Sequence, residues 1–295
     1  MMLRVAVAQY AIGAPVDFAA FADRVGERVA AAVQVGARCV VLPEYLALEA
    51  AAIQAAPIRA DFVRSLHALQ AIRDDFLALA RELAMRHSIH LVAGTFLAEV
   101  GSGRFRNRAW LATPGGALAF QDKLTLTGFE RASGVIEPGD ALKVFETDFG
   151  RIAIDICYDI EFPLHARAQA EAGARLLLVP SCTDTIAGAN RVRIGCQARA
   201  LENQLYVACA VTAGDAAWSP ALDTNTGSAA IFTPVDRGFP SDGIAAQASP
   251  DADWAIADVD LDALEHGRRD GQVANLADWP RQRRSALAHA RVERL

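Results

Sequence analysis

With 295 residues, 53% of them hydrophobic, a net charge of -6 and a pI near 5.5, the chain can build one large α/β domain or two smaller ones, and it offers no basic footprint for nucleic acid. Five cysteines, at 39, 157, 182, 196 and 209, are odd in number, lie mostly in apolar strands and lack zinc-ligand spacing, which suits a reducing cytoplasm and no structural metal. No apolar run is long enough to cross a bilayer, and MMLRVAVAQY reads as a first strand rather than a signal peptide.

In chain order, Leu3 to Ala8 reads as a strand and Asp17 to Val35 as an amphipathic helix closed by Gly36. A second strand, Cys39 to Leu42, runs into Pro43-Glu44-Tyr45, so Glu44 stands where a parallel strand ends, the edge at which α/β proteins build sites. Taken alone, Glu44 reads rather as a helix N-terminal carboxylate favoured by the dipole. Ile58 to His87 has helical periodicity and forms a covering layer. His67, His87 and His90 do not pair on one helix face, so no metal is expected there.

Leu91 to Leu97, Arg106 to Thr113 and Ala117 to Asp122 read as strands, the last two joined by a hairpin turn at Pro114-Gly115-Gly116. Lys123 follows at once; on its own it is an ordinary solvated lysine. Leu124 to Gly139 has no clear period and is read as a long loop, which holds Glu130.

Arg151 to Pro163, RIAIDICYDIEFP, combines a buried strand with a polar stop. Ile152, Ala153, Ile154 and Ile156 suit a strand covered on both faces, and Asp159, Glu161 and Pro163 end it and open a helix. Cys157 therefore sits at a strand-to-loop turn with the geometry of a nucleophile elbow, although a buried core cysteine would read the same way locally. Beyond it come a helix from Leu164 to Ala172 closed by Gly173, a strand from Arg175 to Val179, and a helix from about Asn190 to Asn203. Strands follow at Leu205 to Thr212, Ser228 to Phe232 and Ala252 to Val259, with a loop-rich stretch from Asp236 to Pro250 and a closing helix. No repeat or linker interrupts the pattern, so residues 1–270 are expected to form a single domain. Residues 271–295 form a polar tail, solvated or in contact with a second copy.

Three strand ends thus offer a carboxylate, an ammonium and a thiol. A thiol becomes a nucleophile when a base takes its proton or a cation lowers its pKa. Glu44 is suited to the first task, and Lys123 to holding the thiolate and the oxyanion that forms when a carbonyl or nitrile carbon is attacked.

The blocks VVLPEY, FQDKLTLTGFE and ICYDIEFP, in that order, resemble those of the nitrilase superfamily, the carbon-nitrogen hydrolases. NRAWLATPGGALAFQDK and RALENQLYVACA extend the resemblance over nearly the whole chain. It implies a four-layer αββα sandwich, assembled as a homodimer or larger homo-oligomer. It also implies hydrolysis of a small-molecule amide through a thioester or thioimidate on Cys157, with Glu44 and Lys123 and without metal or cofactor. Glu130 matches the second glutamate, which positions substrate and lysine, with Glu137 the alternative in the same loop. Tyr158 is expected to position substrate, and Tyr158-Asp159 in place of Trp-Glu tilts the expectation from nitriles to amides. A nitrilase or N-carbamoyl amino acid amidohydrolase remains an alternative within the superfamily. Outside it stand a Cys-His-Glu amidotransferase using His165 and a catalytically silent interaction protein on the same fold.

Overall fold

The computed structural model describes residues 1–294; Leu295, the last residue of the expected tail, lies outside the described residues. In chain order, β1 (Met2–Ala11), α1 (Phe18–Gln34), β2 (Cys39–Leu42), α2 (Ala56–Arg59), α3 (Phe62–Leu69) and α4 (Arg73–His87) lead into β3 (His90–Gly101), β4 (Arg104–Ala112) and β5 (Leu118–Asp122). Next come α5 (Gly128–Ala132), β6 (Val144–Thr147), β7 (Gly150–Ile154), α6 (Pro163–Glu171), β8 (Leu176–Ser181), α7 (Ile186–Asn203) and β9 (Tyr206–Ala213). The chain finishes with β10 (Ala230–Phe232), β11 (Ile244–Gln247), β12 (Trp254–Asp260), α8 (Leu261–Asp270) and α9 (Asn275–Asp278).

Side-chain alternation along β1 explains the layering. Leu3, Val5 and Val7 join a core that includes Cys39 and Val41 of β2, the strands β7, β8 and β9, and Ala166, Ala170, Cys196 and Ala200 of α6 and α7. Ala6, Ala8 and Tyr10, on the opposite face, join Val40, Leu42, Phe21, Val29, Leu66 and Phe76 under α1, α3 and α4. The result is a four-layer αββα sandwich. In the first sheet the order is β5-β4-β3-β2-β1-β12, and in the second β9, β8, β7 and β6 follow one another, with β10 and β11 along the other edge of β9.

β1 belongs to both sheets. Its first part pairs with β2 (Val7 opposite Val41) and its last residues pair with β9 (Gln9 opposite Val211). At the crossing, the Gln9 amide donates to the carbonyls of Ser249, Pro250 and Ala252 at 3.0, 3.1 and 3.1 Å, which satisfies a buried polar group where the sheets part.

Several segments differ from the sequence expectation. The helical stretch from Ile58 is broken into α2, α3 and α4, because Asp61 caps α3 by accepting from the Arg64 N–H at 3.0 Å and Gln70 ties the next break to β3 through Leu97 and Glu99. The expected loop after Leu124 contains α5, whose first turn is closed by a capping box between Thr127 and Glu130. The loop-rich stretch after Asp236 contains β11, and β6, only four residues long with no buried side chain, has too weak an alternation to read. The tail packs against the body as far as Arg283: Trp279 lies under the Arg167 guanidinium at 4.9 Å and Arg283 pairs with Glu171 at 3.1 Å.

Glu44 is placed by a close approach of β3 to the end of β2. The β3–β4 register slips between Val92 and Thr95, and Gly94 takes φ +70° there. A Cβ at Gly94 would overlap the Pro43 carbonyl oxygen and stand 2.8 Å from Leu46 Cβ. Gly94→Ala should therefore cost at least about 2 kcal/mol, from left-handed strain plus overpacking, and displace Glu44. Denaturant unfolding checks the first expectation and turnover per folded molecule the second; an unchanged midpoint would refute the close approach.

Candidate active site

Glu44, Lys123 and Cys157 converge at the floor of a cavity of about 260 Å³ that Tyr45, Phe129, Tyr158, Glu161, Arg191 and Asp223 also line. Each arrives from a strand end, and two arrive with strained backbone. Cys157 has φ +49°, and Tyr45, just after Glu44, has φ +59°. A non-glycine residue in this region costs energy and turns the chain sharply, which lets the Cys157 thiol face the cavity while its backbone is held by the sheet.

The Lys123 ammonium is almost wholly buried and lies 2.8 Å from Glu44 Oε1 and 2.9 Å from Glu130 Oε2. Asn107 Nδ2 donates to Glu44 Oε1 at 2.8 Å and to Glu130 Oε1 at 3.1 Å, joining the carboxylates from behind. Glu130 also accepts from the Tyr45 hydroxyl at 2.9 Å and from the N–H and hydroxyl of Thr127 at 2.8 and 3.0 Å. Glu44 Oε2 accepts from the Cys182 N–H at 3.0 Å. Glu137, the alternative in the same loop, lies apart and pairs with Arg104 and Arg106 at 3.6 and 3.0 Å.

These surroundings divide the two carboxylates. Burial raises both, but for Glu130 the Lys123 charge and the Thr127 N–H outweigh it and hold the carboxyl below the ordinary range. For Glu44, burial wins over Lys123, and the Glu130 charge adds to it, so its pKa lies above the ordinary range. Lys123 is also opposed by burial, yet Glu44 and Glu130 keep it charged, well above the usual lysine value. Burial and Glu44 push the Cys157 thiol well up, so the resting sulfur is neutral and needs a base. Two carboxyls driven apart in this way provide one permanent anion and one group able to take a proton.

Other residues noted in the sequence stand around this cluster or away from it. Tyr158 lines the cavity, its ring edge-on to Phe162 at 4.9 Å. His165 lies on α6, does not line the cavity with Cys157, and packs near Phe162. Cys182 lines the cavity, but burial and Glu44 push its thiol up to about 12, and the group it turns towards Glu44 is its N–H. Among the described residues, no group of three or more His, Cys, Asp or Glu is arranged to hold a metal ion, and no helix is long and apolar enough to cross a membrane.

Asn107, Tyr45, Ser181 and Asp159 were not singled out from sequence as site residues. Asp159 accepts from the Leu124 and Thr125 N–H groups, the latter at 2.7 Å, and so pins the lysine's strand end to the cysteine's elbow. The signal for Glu130 was present as Thr127-x-x-Glu130, a helix-start pattern that places the glutamate at a fixed point of a first turn. Asn107 offered no such local signal, since its neighbours across β4 are set by pairing with β3 and β5.

The fold and the convergence of a thiol, a lysine and two glutamates define a cysteine-containing hydrolase scaffold of the nitrilase superfamily. The carbon-nitrogen hydrolase family profile matches residues 4–269, and the chain belongs to that family. Its relatives include probable hydrolase YhcX of Bacillus subtilis (strain 168), 38% identical over 206 residues, which are 70% of this chain and 40% of that protein. Omega-amidase NIT2 of Xenopus tropicalis is 29% identical over 191 residues, 62% of this chain and 66% of that one. The chain thus spans less than two thirds of the length of these relatives. In three dimensions it resembles a carbon-nitrogen hydrolase from Helicobacter pylori G27, with a TM-score of 0.76 at 18% identity over 97% of this chain and 96% of the other.

Beneath the elbow lies Asp155, buried, with no well-formed hydrogen bond to either carboxyl oxygen. Burial, reinforced by Asp159, raises its pKa from 3.8 to about 7, and Gln169 and Arg199 offset this only in part. Between those two values the folded protein holds a proton that the unfolded chain has released, so this residue makes stability fall as pH rises through that window. Three pH units at 1.4 kcal/mol each amount to about 4 kcal/mol above pH 7. Asp155→Asn should accordingly raise the melting temperature at pH 8 and lose that advantage towards pH 4. A difference that does not vary with pH would show that the carboxyl is not held neutral.

Proposed function

We propose that this chain is an amidase that cleaves a non-peptide carbon-nitrogen bond of a small amide through a thioester on Cys157, releasing ammonia or an amine. The observation that carries the reading is the convergence of Cys157, Glu44 and Lys123 on one cavity floor, with Glu44 as the one carboxyl poised to take a proton. Glu44 accepts the thiol proton as sulfur attacks the carbonyl carbon, and Lys123 balances the oxyanion that forms. Glu44 then delivers the proton to the leaving nitrogen, and later deprotonates the water that cleaves the thioester. Glu130 positions Lys123 throughout, and Tyr158 forms part of the wall against which the acyl group lies.

The Tyr158-Asp159 pair and the omega-amidase name of one relative favour amides over nitriles. The rim of the cavity adds a charge preference. Glu161, Asp184 and Asp223 face one guanidinium, Arg191, which already pairs with Glu161 at 3.4 Å. A dicarboxylic ω-amide would bring its free carboxylate towards this negative rim, so amides with a neutral or amine-bearing far end suit it better. The five unpaired cysteines support a reducing cytoplasm, and exposed Leu164, Ile186 and Ile194 on α6 and α7 support a homo-oligomer.

Two experiments test this reading. Glu44→Gln keeps shape while removing the base, and should slow single-turnover acylation by about a hundredfold or more, with Cys157→Ala as the dead reference. In the parent enzyme the acid limb of the acylation profile should lie above the ordinary carboxylate range, because Glu44 must be ionised to act. Normal acylation by Glu44→Gln would remove the base from the mechanism.

Ammonia release from amides of equal length ending in methyl, amine or carboxylate, together with the matching nitriles, addresses the substrate. The neutral and amine-ended amides should be turned over several-fold faster than the carboxylate-ended one, with the gap narrowing as salt screens the rim. Faster turnover of nitriles would overturn the amide reading, and a preference for the carboxylate-ended amide would overturn the charge argument.

A further inference from the structure

Ser181 ends β8, the strand next to the one that leads to Cys157, and its side chain is almost wholly buried. It follows Leu177 and Val179 on one face of that strand, a place where an apolar side chain would cost nothing and a hydroxyl needs a partner. The partner is the sulfur: Ser181 Oγ donates to Cys157 Sγ at 3.3 Å, and the hydroxyl makes no other hydrogen bond as donor among the described residues. The thiol in turn donates to the Cys182 carbonyl at 3.4 Å, so the sulfur is held from two consecutive residues of one strand end.

We propose that Ser181 is a further catalytic residue, a hydroxyl donor aimed at the reacting sulfur that stabilises the thiolate each time it forms. The inference rests on the thioester reading above. A neutral thiol is a weak acceptor and a thiolate a strong one, so the same contact is worth more once the proton has gone to Glu44. Everything else close to the sulfur except Lys123 and the Cys182 backbone, burial and the Glu44 charge above all, opposes that ionisation. The donor acts twice in a cycle. It steadies sulfur as the proton leaves and the carbon–sulfur bond forms, and again when that bond breaks in hydrolysis and the electron pair returns to sulfur, before Glu44 gives the proton back.

Ser181 also lines a second cavity, of about 340 Å³, with Thr183, Cys209, Val211, Thr226 and Ser228. That space gives room for a methyl group, so Thr and Val can replace Ser with one shape and differ only in the hydroxyl. The test is the pH profile of Cys157 alkylation by iodoacetamide in the substrate-free enzyme, with the labelled peptide resolved from that of Cys182 by mass spectrometry. Ser181→Ala and Ser181→Val should shift the profile to higher pH and slow alkylation at neutral pH about tenfold or more, the effect of a lost hydrogen bond to a charged group. Ser181→Thr should retain the parent profile. Alkylation of the Ala or Val variant on the parent profile would overturn the proposal, as would equal shifts for Thr and Val, which would assign the effect to shape. If the Ala variant does not fold, the Thr and Val pair decides the matter. The readout needs no amide, so a parent enzyme that alkylates as expected but releases no ammonia from any amide would sink the amidase reading and leave this result standing.

Discussion

The buried ammonium of Lys123 is the interaction on which the site depends. A lysine out of water is tolerated only when its charge is matched and its donors are met, and here two carboxylates flank it at 2.8 and 2.9 Å. One cation between two anions leaves one excess negative charge, which is why the carboxyls cannot share the same protonation behaviour. Thr127, Tyr45 and Asn107 supply the donors that let Glu130 keep its charge. Glu44 receives one donor each from Asn107 and the Cys182 N–H beside its contact with lysine, and retains the raised affinity for a proton that the proposed base role calls for.

How the three groups come within reach is a matter of strand registers. Glu44 follows β2, which is bonded to β1; β1 passes into the second sheet and meets β9; β9 meets β8 with Val211 opposite Ser181; and β8 meets β7, which leads to Cys157. Lys123 is reached the other way, through β3, β4 and β5. A slip of one residue in any of these pairings would turn the inward side chains outward, so the same apolar alternation that builds the core also sets the geometry at the floor of the cavity. Asp159 then closes the circuit, tying the strand end of Lys123 directly to the elbow of Cys157.

Much of this was legible in the amino-acid sequence, and for a common reason. Glu44 and Cys157 closely follow apolar runs, and Lys123 comes just after a hairpin strand that turns polar at Gln121-Asp122, so local composition marks each strand and its end. Cys39–Leu42 coincides with the observed strand to the residue because it is short, wholly buried and bounded by Pro43. What was hidden depends on contacts between distant segments. Asn107 lies 63 residues from Glu44 and 23 from Glu130, and only the β3–β4–β5 pairing brings it behind them. Ser181 looks like any polar residue at a strand end until the neighbouring strand places a sulfur against it. The break between α3 and α4 is likewise set by Gln70 reaching β3, a tertiary contact that overrides a continuous helical period.

The site also gathers features that each lower stability: left-handed backbone at Cys157 and Tyr45, a glycine pressed against Pro43, and buried ionisable groups at Glu44, Lys123, Glu130, Asp155 and Asp159. Such features persist only where the surroundings over-determine them. Here the two apolar cores, one running between the sheets and on under α6 and α7 and the other under the first helical layer, meet along β1 and β2 and hold the strand ends rigid. Relaxing the left-handed turns would improve local energetics while loosening the strand ends, whereas removing Lys123 would leave two buried carboxylates without their cation and destabilise the fold. Asp155 is the instructive exception, because it touches none of the reacting groups and its burial beneath the elbow has no satisfied hydrogen bond to justify it. Its cost falls on the fold rather than on the proposed chemistry, so the two are separable at this one position, whereas at Lys123 both would rest on the same interaction.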